Sequence, residues 1–421
     1  MRHAPLLPLI LAAALAAAAP VLGQGAFDAL PEGMDPYAGA RSACFLPGEL
    51  AGLDAEIDAT RRPLSGCAAG VIPPQAEIDA SRAYKKGSGS AVDCASMRRR
   101  EAGNRFLKAF LDDVIAASET APACAAGMIR TWAEADAMRE IGTEGSANTS
   151  RAIGMFTLSG LSATYLVAPE VRAAAGSEGD REILAWFRRL SARVEEDIAA
   201  KRARKDEDNI QYWQGFAVLP TALMTADPTL LKQSRATFHA AMREVTEKRR
   251  DPQDDGFLPL ELERGDKALN YQAYAAHPIV GMATLSRAYG CDFLDTDWKR
   301  GQFVSLMSRT LEGNLDPEIF AEAAVRLGKR KKAVEQLRSY TARHAPDLMY
   351  LVDRMDPALF DRIDARVAKA TGKPRPVFPA SRGADGANDR MGGGYARLAD
   401  RAAALSEKPA PGPLAEVCKG G

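Results

Sequence analysis

Beyond residue 94, apolar positions recur three and four residues apart along most of the chain, as in Trp213, Phe216, Ala217 and Pro220. The pattern predicts helices over roughly 94–118, 122–140, 150–167, 178–204, 208–225, 228–249, 267–289 and 297–311. Shorter ones are predicted at about 316–343 and 356–371. Alternation of period two with β-branched residues is nearly absent, so strands should be few. Helices of similar length joined by short connections favour antiparallel hairpins. Such hairpins stack into a solenoid or close into a toroid. The expected fold class is all-α.

The two ends break this pattern. Residues 1–23 carry an uncharged apolar run from Ala4 to Gly23, with small residues Val21 and Gly23 ahead of Gln24. That reads as a signal peptide, and export to the periplasm or the medium is expected. Residues 24–93 form a Pro/Gly-punctuated N-terminal extension. Residues 372–421 are rich in Gly, Pro and Ala and read as a loosely ordered tail, interrupted by a short helix near Ala396–Ser406. The helical body is expected over 94–371.

Charge narrows the partner classes. Lys plus Arg and Asp plus Glu each number 55, so no global field draws nucleic acid. The basic run Lys201–Lys205 meets the acidic run Asp206–Asp208, and blocks of this kind usually form solvated helix faces. Six cysteines at 44, 67, 94, 124, 291 and 418 show no zinc-ligand spacing, so disulfides are expected, with the pairing left open. No metal or cofactor motif is visible, and a monomer is expected.

Two polar-aromatic stretches stand out. Asn209 and Trp213 lie one turn apart, and Tyr271 and Tyr274 share the face of a second helix that Asp266 is placed to cap. Asn209, Arg264 and Tyr271 each need a partner if buried.

Together these blocks resemble the alginate lyase family of helical-toroid polysaccharide lyases. The family hallmark Asn-Asn-His-x-Tyr-Trp reads here Asp208-Asn209-Ile210-Gln211-Tyr212-Trp213. A block Asp-Asp-Gly-x-Leu-Pro followed by Glu appears as Asp254 to Pro259 with Glu261. Arg-x6-Tyr-x-x-Tyr-Ala is matched by Arg264, Tyr271, Tyr274 and Ala275. The segment 130–138 looks like the family's Thr-Trp-Ala helix, and the likeness runs over roughly residues 65–350.

The resemblance implies an incomplete (α/α) toroid whose cleft holds an acidic polysaccharide. The implied chemistry is β-elimination on a β-1,4-linked polyuronate of mannuronate or glucuronate type. Asn209 and Arg264 would neutralise the uronate carboxylate, and Tyr271 would serve as acid and base. Tyr212, Trp213 and Tyr274 would shape the sugar subsites, together with Tyr84 and Lys85 on a lid-like loop. His277, three residues after Tyr274 on nearly the same helical face, is placed to reach that cleft and take over part of the role of the missing family His. The resemblance also implies a Cys67–Cys124 disulfide.

Three departures stand against this, one being that the loop Ser81–Ser88 keeps the aromatic and the positive charge of the family's lid pattern but adds residues. The family His falls on Ile210, which can neither take a proton nor donate a hydrogen bond. The acids Asp206–Asp208 precede Asn209 and should point away from a polyanion or pair with Lys201–Lys205. A catalytically degenerate polysaccharide-binding or envelope scaffold protein is the alternative.

Overall fold

The computed structural model describes residues 38–81, 92–203, 208–245, 255–328, 348–372, 391, 394–406, 415 and 418. The expected signal peptide, and Tyr84 and Lys85 of the lid-like loop, lie outside these residues.

The described chain is overwhelmingly helical. Helices α1 (Ala38–Cys44) and α2 (Glu49–Ala59) precede two small sheets. Strands β1 (Arg62–Leu64) and β2 (Cys67–Val71) pair antiparallel, and β3 (Glu77–Ile78) pairs in parallel with the later β4 (Glu140–Ile141). The body follows: α3 (Cys94–Thr120), α4 (Pro122–Glu134), α5 (Ala147–Val167), α6 (Pro169–Ala203), α7 (Asn209–Thr225) and α8 (Pro228–Glu244). Next come α9 (Pro259–Leu262), α10 (Ala268–Ala288), α11 (Asp297–Leu315) and α12 (Glu318–Arg326). A helical stretch at 348–355, then α13 (Pro357–Thr371) and α14 (Tyr395–Ser406), complete the set.

The main departures from the sequence pattern have local causes. The helix predicted over 122–140 stops at Glu134, because Asp136 and Met138 adopt positive φ and turn the chain into β4. In α6, Gly176 at φ 69° breaks the helix into two segments. Asp266 does not cap α10; it sits in a 3-10 turn (Gly265–Lys267), and no side chain caps that helix.

Three helices are buried nearly all round and form the inner layer. Every residue of α7 from Gln211 to Leu223 is buried, as are most of α5 and α10. α7 packs against α5, α6, α8 and α10. The ring of Trp213 meets Tyr274, and Phe216 lies against Gly281, so α7 and α10 run parallel. Phe156 touches Tyr274, and Tyr289 reaches the Leu166 carbonyl, so α5 runs the same way. The N-termini of all three inner helices therefore share one end. Among the described residues, no single helix is long and apolar enough to cross a membrane.

The tail expectation is corrected over the residues described there. In α14, Leu398, Ala399 and Ala402 belong to the main core. Arg397 donates to Ser118 Oγ, and Tyr350 donates to Asp400. Cys291–Cys418 ties the chain end to the loop after α10. The expected Cys67–Cys124 bond is present, and Cys44–Cys94 joins α1 to α3. Each closes a long loop of the unfolded chain, which stabilises by roughly 3–5 kcal/mol per bond in the chain-entropy account.

The segment before α10 is held by unusually specific contacts. Gln272 accepts from the Leu258 amide and donates to the Gly256 carbonyl and Thr310. Arg309 donates to the Asp255 carbonyl. Gly256 has φ +85°, and a Cβ there would lie 2.3 Å from the Ser305 carbonyl oxygen. Gly256→Ala is therefore expected to destabilise by about 2–5 kcal/mol, from backbone strain plus steric overlap. Chemical denaturation checks this, and a loss under about 1 kcal/mol contradicts the packing described.

Candidate active site

The site lies at the shared N-terminal end of α7 and α10. Asp208 caps α7, its Oδ1 accepting from the Ile210 amide at 3.2 Å. Asn209 opens the helix with its side chain turned inward and 1% exposed. Its partner is Glu261 on α9, also 1% exposed. The Asn209 amide Nδ2 lies 3.1 Å from both Glu261 carboxylate oxygens, and the Asn209 backbone N–H donates to Oε1 at 2.8 Å. The carboxylate thus sits at the positive end of the α7 dipole and accepts an otherwise unpaired helix-terminal N–H.

Arg264 completes the arrangement from the turn between α9 and α10. Its Nε lies 3.4 Å from Glu261 Oε2, and its Nη2 lies 3.3 Å from Asp208 Oδ2. The guanidinium stands over the Tyr271 ring, 5.1 Å from its centroid. Arg264 is 39% exposed on its side chain, and Tyr271, in the first turn of α10, is half-buried. Asp208, Asn209, Glu261, Arg264 and Tyr271 therefore form one contact network running from rim to interior.

Burial pushes the Glu261 carboxyl above the usual carboxylate range, against the opposing pull of Arg264 and the Asn209 donors. Burial acts to lower Arg264, but Glu261 and Asp208, with Tyr271 behind them, outweigh it and hold the guanidinium firmly charged.

Other residues expected at the site fall elsewhere. Tyr212 is 1% exposed and donates its hydroxyl to Glu244 at 2.6 Å. Trp213 has no exposed surface; its indole N–H donates to the Tyr274 carbonyl, and its ring meets Phe156 and Phe216 edge-on. Both are core side chains where subsite walls were expected, because α7 is enclosed by α5, α8 and α10. His277 is likewise fully buried in α10 and does not reach solvent. Tyr274 is half-buried over Trp213, one turn below Tyr271. Ile210 is partly buried against the main core. Asp208 turns to Arg264, contrary to the expectation that this acid would point away, while the side chains of Lys201–Lys205 lie outside the described residues. Among the described residues, no group of three or more His, Cys, Asp or Glu is arranged to hold a metal.

The sequence reading missed the part played by Glu261. The signal was its position three residues before Arg264, on a turn that brings both side chains to one side. Its partner on α7 lies 52 residues away in sequence, which no local pattern reveals.

The alginate lyase family model matches residues 79–320, a span that contains every group of this network. The chain belongs to the alginate lyase family. It is 30% identical over 259 residues to a polysaccharide lyase of Stenotrophomonas maltophilia, covering 59% of this chain and 73% of that one. It is 32% identical over 204 residues to an alginate lyase of Pseudomonas syringae pv. syringae, covering 47% and 50%. An alginate lyase of Pseudomonas aeruginosa is 30% identical over 203 residues, covering 48% and 52%. The match thus spans about half the length of these Pseudomonas relatives. Among solved structures, a variant of alginate lyase A1-III complexed with a tetrasaccharide aligns at TM-score 0.51 and 15% identity, over 86% of this chain and 93% of that one. An apo form of the same enzyme aligns at TM-score 0.50 and 14% identity, over 88% and 97%. At that identity the likeness establishes the fold, an (α/α) toroid.

Because Tyr212 is a core residue, Tyr212→Phe is expected to cost about 1.5–3 kcal/mol of stability, since it removes a hydrogen bond to a charged acceptor. Thermal unfolding checks this. Weakened polysaccharide binding at unchanged stability would return Tyr212 to the cleft.

Proposed function

We propose that this member of the alginate lyase family cleaves a β-1,4-linked polyuronate of mannuronate or glucuronate type by β-elimination. The observation that carries the reading is the guanidinium of Arg264, partly exposed and stacked over the Tyr271 ring. A cation and a phenol share one rim, as elimination at a uronate requires.

The chemistry follows from that pairing. The C5 proton of a uronate is weakly acidic, and its removal places charge on the adjacent carboxylate. Arg264 meets that carboxylate and stabilises the developing enolate. Tyr271 takes the C5 proton as its phenolate and returns it to the C4 glycosidic oxygen. The C4–O bond breaks, a C4–C5 double bond forms, and no oxidant or reductant is needed. Asn209 directs its amide at Glu261, the carboxylate that also holds Arg264, so the direct contact with substrate is assigned to Arg264 alone. Among the described residues, Tyr274, one turn from Tyr271 and half-buried, is the further aromatic assigned to face a sugar.

One tyrosine serves both steps only where the C5 proton and C4 oxygen lie on the same side, as in mannuronate and glucuronate. Guluronate places them opposite and requires a second base, which Ile210 does not supply. Export fits the three disulfides, which engage all six cysteines and persist in oxidising compartments. Residues 1–23 would be the signal removed, and 94–371 the catalytic toroid.

The experiment is to incubate the protein with polymannuronate, polyglucuronate and polyguluronate and follow the ultraviolet absorbance of unsaturated ends. Turnover is expected on the first two in preference to the third. Tyr271→Phe is expected to lower it by about 10²–10⁴-fold while polymer binding persists. Mutant activity equal to the parent's overturns the assignment of Tyr271. Absence of product on every polymer, for both the parent and Ile210→His, with binding retained, favours a non-catalytic binder.

A further inference from the structure

Arg264 is held by two carboxylates of very different accessibility. Glu261 meets its Nε from a side chain that is 1% exposed. Asp208 meets its Nη2 from a side chain that is 13% exposed. Glu261 is committed, because its oxygens also accept from the Asn209 backbone and amide in a buried setting. Withdrawing it would strand those donors and an uncompensated buried charge. Asp208 is differently placed. One of its oxygens caps α7 at the Ile210 amide, and the other faces Arg264 near the surface. Turning that oxygen away breaks the partly exposed pair with Arg264, which costs less than uncovering the buried charge of Glu261, and leaves the helix cap in place.

A carboxylate approaching Arg264 from solvent therefore meets Asp208 as its rival, not Glu261. We propose that Asp208 is a specificity-determining residue: an internal carboxylate that competes with the uronate carboxylate for Arg264. This rests on the assignment of Arg264 to the substrate carboxylate. Asp208 contributes twice, by occupying Nη2 and by repelling a second negative charge at the same place. A fully ionised polyuronate must overcome both effects. A glycan whose carboxyl is methyl-esterified brings no charge to be repelled, so Asp208 discriminates against the ionised form relative to the ester.

The test measures dissociation constants of oligomannuronate and its methyl ester for the parent and for Asp208→Asn. Asn caps a helix as well as Asp, so the fold is retained. Asp208→Ser, also a good cap, checks that the effect follows the lost charge and not the introduced amide. Both variants are expected to bind the ionised oligosaccharide about three- to tenfold more tightly at low ionic strength. The gain should shrink in roughly 0.5–1 M salt, where screening acts within a few ångströms. Affinity for the ester should stay within about twofold. A helix-capping role alone would show neither the charge selectivity nor the salt dependence. Parent-like affinity in both variants, with binding weakened in Arg264→Gln, overturns the inference and leaves the functional assignment standing. If Arg264→Gln also binds like the parent, the assignment of Arg264 falls, and this inference with it.

Discussion

The carboxylate of Glu261 is the constraint on which the rest of the site depends. It is buried, so its charge is tolerable only with donors on every side. Those donors are the first backbone N–H of α7, the Asn209 amide and the Arg264 side chain. One group thereby fixes the start of an inner helix, the rotamer of its first residue and the position of the site's cation. Arg264 in turn covers the Tyr271 ring. The geometry of the network is thus set by a group that itself lies beneath the reach of a substrate.

The fold makes that possible by bringing helix beginnings together. Three parallel inner helices place their N-termini at one end, where unpaired N–H groups and dipoles favour negative charge. A polyanion-binding site built there gains from the helix ends and must still hold its own acids in check. Asp208 and Glu261 answer this in different ways, one largely buried but reaching the surface as cap and rival, the other enclosed as anchor. At the far end α14 closes over the core, with Met391 against Gly281 and Arg397 on Ser118.

Much of the fold was legible in the pattern of apolar residues, because inner and outer helices of a toroid both bury a continuous face. Asn209, Arg264 and Tyr271 were legible as motif residues, and the structure brings them into one network. The pattern failed where burial is set by tertiary enclosure. Tyr212, Trp213 and His277 carry groups that suit a sugar cleft, yet α7 and α10 are surrounded, and all three lie in the core. The docking of α14 was hidden by the Gly/Pro-rich composition around it. The role of Glu261 was hidden because its meaning lies in a partner 52 residues away.

The measurement that bears most directly on this account is the rate of unsaturated-product formation from polymannuronate by Glu261→Gln, with thermal unfolding recorded on the same samples. Gln keeps the volume but turns a donor toward Asn209 and removes the charge facing Arg264. A folded variant is expected whose turnover falls by at least ten- to a hundredfold, since small misplacements of reacting groups cost that much. A folded Glu261→Gln that turns over at the parent rate would contradict it.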